Sequence, residues 1–168
     1  MHRKFHFLMG VLVVLLLTAL QGCGFQLRGA ADLPPSINPL FLSGVGEYDP
    51  LRKDLRQMLD GSGVQITADQ SKAGAILKVS KQNQDRRVLS VDSRGKVVEY
   101  EIHQTLEFEL LDAGGAQLMV SQSVGAQRAY ENSETGVLGK DQEEKLLRRD
   151  LRLDLVRRIV NRMQEQLQ

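Results

Sequence analysis

The chain has no tryptophan, a single cysteine, three histidines and only 5% aromatic residues among its 168. Each scarcity removes a class of function. One thiol, Cys23, cannot close an internal disulfide, so the folded part must be stable through packing alone. Two of the histidines, His2 and His6, fall in the first six residues. That leaves His103 as the one imidazole of the remaining chain, which excludes a His/Cys zinc site and leaves a serine triad a single base to draw on. Phosphate-cradling loops are missing too, because Gly44-Val45-Gly46 lacks the further glycine and the lysine such loops need. There is no strong excess of one charge either: 22 basic and 21 acidic residues give a formal +1. No global positive field exists to gather nucleic acid, so an anion site would have to be local.

What is present begins at the N-terminus. Arg3 and Lys4 precede an uncharged apolar run from Leu8 to Leu20, the layout of an export signal. A helix needs roughly 20 apolar residues to cross a bilayer, and this run is shorter. It ends in Leu20-Gln21-Gly22-Cys23, which resembles the lipobox of bacterial lipoprotein precursors. Residues 1–22 are therefore expected to be a lipoprotein signal peptide, cut before Cys23, with the chain then held at a membrane by lipid on that cysteine. Several acyl chains on one residue make such an anchor durable, where a single chain would be reversible. Cleavage leaves 146 residues with 20 basic and 21 acidic side chains, the size of one domain.

Residues 23–36 read as a lipidated tether, because Pro34 and Pro35 lack amide donors and hold the chain extended. Residues 37–168 read as one α+β domain. Ile37, Leu40, Phe41 and Leu42 suggest a first strand ended by Ser43-Gly44. Asp49-Pro50 is a helix start, with Leu51, Leu55, Met58 and Leu59 on one face and Gly61 as the stop. Val64 to Thr67 reads as a short extended link, and Ala75, Leu77 and Val79 alternate as a strand does. Alternation is clearest from Val98 to Leu110, where an apolar face backs onto Glu99, Glu101, Glu107 and Glu109. Turn-like stretches at residues 92–96 and 112–115 flank it, so three long strands form a meander, the last spanning Leu118 to Ala126. From Asp141 to about Leu167 the period becomes helical, with Leu147, Leu151, Leu155, Ile159 and Met163 four apart. The predicted fold is α+β, with two helices packed on one face of a largely antiparallel (mixed) sheet of about four strands. The acidic face opposite is either solvated or buried in a polar partner.

Among the charged residues, the glutamates of 99–109 read as a solvated strand face, and His103 as a solvated histidine among them. Helix arginines pair at i,i+4 spacing, Glu144 with Arg148 and Asp154 with Arg158. Other bases gather near the turns: Arg86 and Arg87 lead into the first long hairpin, Arg94 and Lys96 flank its tip glycine, and Arg128 lies beyond the last strand. Lys140 stands just before the final helix, where a phosphate would also meet free helix N–H groups.

The stretch Cys23-Gly24-Phe25-Gln26-Leu27-Arg28-Gly29, the Pro34-bearing entry to the first strand, Gly95 followed by Glu99-Tyr100, and Lys140-Asp141 at the last helix together resemble the LPS-assembly lipoprotein family, LptE. The resemblance runs over nearly the whole chain. It implies a non-enzymatic outer-membrane lipoprotein that plugs the β-barrel LptD, assists its assembly and binds lipopolysaccharide (LPS), facing the periplasm and the barrel lumen. It implies no cofactor and no metal. The family's LPS contacts fall before the last helix and in the hairpin, which here selects Lys140 and, as alternatives, Arg94 or Lys96. Gly24 after the lipid site resembles the signal for release to the outer membrane. A lumen is polar, and a body without large apolar patches suits it. Two rivals remain: an accessory envelope lipoprotein that binds a periplasmic ligand or transporter without a barrel, and an envelope hydrolase using His103 or the carboxylates.

Overall fold

The structure is a computed structural model that describes residues 31–132 and 137–168, the side chains of 137–140 excepted. Cys23 and residues 1–22, the stretch read as a signal peptide, lie outside the described residues. Five strands and two helices follow in the order β1 (Leu40–Ser43), α1 (Pro50–Asp60), β2 (Ile66–Thr67), β3 (Ala75–Val91), β4 (Val97–Asp112), β5 (Gln117–Glu131) and α2 (Val137–Leu167). They form one sheet in the order β2-β1-β3-β4-β5. β1 runs parallel to both β2 and β3, and β3, β4 and β5 are antiparallel. The α+β reading holds, with one strand more than expected: the link at Ile66–Thr67 pairs with β1 and becomes the sheet edge.

Local chemistry explains most boundaries. The Asp49 side chain accepts from the Leu51 amide at 2.8 Å and Pro50 takes the first helical position, so α1 starts where its cap and its fixed φ coincide. Gly44 has φ 76°, and a Cβ there would lie 2.0 Å from the Val79 carbonyl oxygen, so only glycine lets the loop after β1 cross β3 this closely. Ile37 falls in a 3-10 turn, Pro35–Ile37, rather than in the first strand, which opens only at Leu40 beyond Pro39. In the stretch read as a tether, Leu33 is buried against the body.

Two sequence expectations are corrected in the long strands. β3 is continuous from Ala75 to Val91, so Arg86 and Arg87 lie inside it, and β5 continues to Glu131, so Arg128 lies within a strand. Polar, exposed residues hid the extension of β3, because alternation is visible only where one face is covered, and in that of β5 the buried Tyr130 stands alone among exposed residues. At the other end, α2 begins at Val137, which puts Lys140 within its first turn instead of before it.

Both helices cover one face of the sheet. Leu51, Leu55 and Leu59 of α1 and Leu155, Val156, Ile159, Val160 and Met163 of α2 meet Leu77, Val79, Leu106, Phe108, Leu110, Met119 and Val124 in the main core. Arg152 of α2 donates to Asp54 of α1 at 2.5 Å, which fixes the helices to each other. α2 runs antiparallel to β5, since Gln166 meets Gln122, Arg162 donates to the Ser123 carbonyl, and Glu144 meets Tyr130. Its N-terminal end therefore lies at the same end of the molecule as the β3–β4 turn.

Candidate functional site

The β3–β4 turn is built around one carboxylate. Asp92 Oδ1 accepts from the backbone amides of Arg94 and Lys96, each at 2.9 Å. Its Oδ2 accepts from Arg94 Nε at 3.1 Å and Nη2 at 3.0 Å. Gly95, at φ 78°, supplies the left-handed residue the turn requires. The Lys96 amide and then the Arg94 side chain hold the Asp92 carboxyl below the usual range. The arrangement leaves the Arg94 side chain 79% exposed while fixing its base, and Lys96 is exposed beside it. The two bases that the sequence offered as alternatives thus share one rigid tip.

A second group ties the N-terminal part of α2 to the sheet. Glu144 Oε2 accepts from the Tyr130 hydroxyl at 2.7 Å and from Arg86 Nη1 at 3.1 Å. Its Oε1 accepts from Arg148 Nε at 2.8 Å. The Arg86 guanidinium lies 4.5 Å from the centre of the Tyr100 ring, which in turn is 5.8 Å from that of Tyr130. Burial raises the Glu144 pKa, but Tyr130 and Arg148 outweigh it and leave the carboxyl below its ordinary value. Burial, then the same hydrogen bond, pushes the Tyr130 hydroxyl up. Below the polar group, Ile102, Tyr130 and Leu151 form a small second core. Lys140 lies one helical turn before Glu144, so this tie determines where the backbone of Lys140 stands.

The structure brings Arg94 and Lys96 together and sets the backbone of Lys140 at the same end. Lys140 is roughly one helical turn beyond the Tyr130–Tyr100–Val88 level, while the tip lies about six strand residues beyond it. A ligand spanning both would need to be larger than one phosphate. Arg86 and Arg128 are committed instead: Arg86 to Glu144, and Arg128 to Asp154 at 3.4 Å.

The acidic face of β4 is not bare. Lys78 meets Glu109 at 2.8 Å, Lys81 meets Glu107 at 3.6 Å, and Arg87 meets Glu101 at 2.6 Å. Glu101 is only 7% exposed, and His103 Nε2 lies 2.5 Å from the same Oε1. The hydrogen bond to His103, then that to Arg87, lowers the Glu101 pKa against the effect of burial. Sequence reasoning counted the acids of one strand without the bases that register places opposite them. Among the described residues no helix is long and apolar enough to cross a membrane.

Comparison with known proteins bears on the same residues. A family model described as LptE, lipopolysaccharide-assembly, matches residues 37–163. The LPS-assembly lipoprotein LptE of Pectobacterium atrosepticum is 30% identical over 163 residues, covering 96% of this chain and 85% of that protein. Among solved structures, lipoprotein B from Nitrosomonas europaea is similar at TM-score 0.68 and 25% identity, over 82% of this chain and 88% of that one. A minor lipoprotein from Acinetobacter baumannii is similar at TM-score 0.65 and 26% identity, over 77% and 92%.

Proposed function

From the premise that the chain belongs to the LptE family of lipopolysaccharide-assembly lipoproteins, we propose that it is an outer-membrane protein that plugs the LptD β-barrel, helps it assemble, and binds LPS. Within this reading residues 1–22 are removed, lipid on Cys23 anchors the chain through the tether of residues 23–36, and the body of residues 37–168 enters the lumen from the periplasmic side. It acts by binding and not by catalysis.

The observation that carries the reading is the family match across the whole α+β body, from the first strand to the last helix. Its physical support is the charge arrangement. Paired Lys/Glu and Arg/Glu ladders across β3 and β4 give a face that is polar yet locally neutral, suited to a wet lumen lined by side chains of both signs. The exposed Arg94 and Lys96, with Lys140 at the same end, offer cations where the phosphates of an LPS molecule could approach.

Purifying the tagged, anchored protein in mild detergent, followed by a high-salt wash, tests the barrel reading. A large outer-membrane β-barrel recovered in near-equal amount is the expected result. Recovery of the protein alone, or with an inner-membrane transporter, would instead identify an accessory lipoprotein. The site is tested separately: Lys140→Asp should weaken binding of purified LPS while the unfolding midpoint in urea stays unchanged.

A further inference from the structure

The distal sheet also has an open edge along β3. β3 pairs with β1 only from Ala75 to Lys78. Beyond that its one neighbour is β4, and residues 81–89 are all exposed. An edge strand leaves about every second backbone N–H and C=O without a sheet partner, a ready template for another strand. Proteins blunt such edges with proline or bulges, yet the register from Lys81 to Val88 is regular and free of proline; the bulges lie at its two ends.

Beside this edge, on the helix-covered face, lies a cleft of about 200 Å³. Its lining mixes Leu51, Leu106 and Leu155 with Gln104 and Arg152, and its edge-side wall carries the carboxamides of Gln82 and Gln84, the latter accepting from Gln104 Nε2. The leucines offer contact to one small aliphatic side chain of an extended peptide, with the Gln82 carboxamide beside its backbone.

We propose that the edge of β3 from residue 81 to 89, with this cleft, receives an extended segment of a partner polypeptide by strand addition, one apolar side chain entering the cleft. The inference rests on the barrel reading above, because it takes the partner to be the barrel protein. A second copy of this chain does not fit. Two-fold antiparallel pairing centred on Asp85, Arg86 or Arg87 sets a charge against its own copy, and centred on Gln84 it sets Lys81 against Arg87. Centred nearer the base, the copy's hairpin runs into the loop that Gly44 carries across Val79; nearer the tip, the bulges interrupt the pairing.

The test is hydrogen exchange of the full chain, free and in the complex with its co-expressed barrel, read amide by amide. Strand addition predicts that alternate amides between 81 and 89 slow at least about tenfold in the complex, while those already bonded to β4 change little. Gln82→Lys, at an exposed position, should lower recovery of the complex several-fold without changing the unfolding midpoint of the free protein. If the barrel co-purifies but residues 81–89 exchange as in the free chain, strand addition is wrong and the barrel reading stands; if no barrel co-purifies, the reading beneath it falls as well. Methyl NMR shifts confined to Leu51, Leu106 and Leu155 when lipid is added, with residues 81–89 unchanged, would assign the cleft to a lipid acyl chain and overturn the proposal. A concentration-dependent dimer in sedimentation that Gln82→Lys abolishes would overturn it in favour of a second copy.

Discussion

The base of the sheet and its distal half are built from the same three long strands but held by different forces. At the base, β1, the first residues of β3 and the last of β4 are covered by α1 and by the C-terminal two-thirds of α2, and side chains such as Leu40, Leu77, Phe108 and Leu155 are at most 1% exposed. Distally, β3 loses both its neighbour and its helix cover. What remains is the small cluster of Ile102, Tyr130 and Leu151 beneath the Arg86–Tyr130–Glu144–Arg148 group. Non-directional burial makes the base stable, whereas geometry-dependent polar contacts make the distal half specific. Regions with few buried apolar contacts are where binding surfaces are found.

The largest effect should come from breaking the base. Leu155→Ala removes a fully buried side chain where α2, α1 and the sheet meet, and should cost about 2–5 kcal/mol in urea unfolding. Both halves should lose protection together in hydrogen exchange. A loss confined to the distal strands would mean that the base does not govern the whole sheet.

A smaller and more local effect is expected from the distal tie. Tyr130→Phe keeps the ring in its cluster but removes a hydroxyl bonded to Glu144, at a cost of about 1 kcal/mol. Glu144→Gln removes the charge that Arg86 and Arg148 meet, and should accelerate exchange in residues 141–150 ahead of the base. Its pH dependence is distinctive. Because the folded pKa of Glu144 is lowered, its contribution is complete above the unfolded value, near 4.5, and is lost as the pH falls through the folded value. The wild type and Glu144→Gln should therefore differ at neutral pH and converge in acid; a gap independent of pH would show that the carboxylate charge contributes nothing.

The same division explains what the sequence revealed. The caps of α1, the apolar stripe of α2 and the alternation in β4 were readable because each element there has one buried and one solvated face. The distal part of β3 was not, since Ser80 to Leu89 are exposed on both faces and carry no periodicity. Pairing also lay beyond the reach of one strand's pattern. Glu101 reads as one more solvated acid until register sets Arg87 opposite it, and nothing in the sequence marks the partner of Arg152, Asp54 of α1, which lies 2.5 Å away. At the candidate site, Arg94, Lys96 and Lys140 were found as residue types at turn and helix-start positions. The tie at Glu144 was visible only as a helical pair with Arg148, because Arg86 and Tyr130 reach it across 58 and 14 residues of sequence.

The smallest effect on stability should accompany one of the clearest effects on binding. Arg94→Gln removes an exposed guanidinium whose one ion pair, with Asp92, lies in the same turn. Exposed pairs contribute little to stability, and here the two backbone amides bonded to Asp92 Oδ1 keep the turn closed without the side chain. The unfolding midpoint should hardly move. Binding of purified LPS should nevertheless fall and become less dependent on salt, because a cation presented at a rigid tip acts on a phosphate through charge alone. If Arg94→Gln leaves both binding and its salt dependence intact while Lys140→Asp lowers them, the contact lies at the start of α2 and the rigid turn serves only to close the hairpin. If the two variants weaken binding to similar degrees and the double variant adds their effects, the ligand spans the gap between turn and helix, as the separation of the two positions requires.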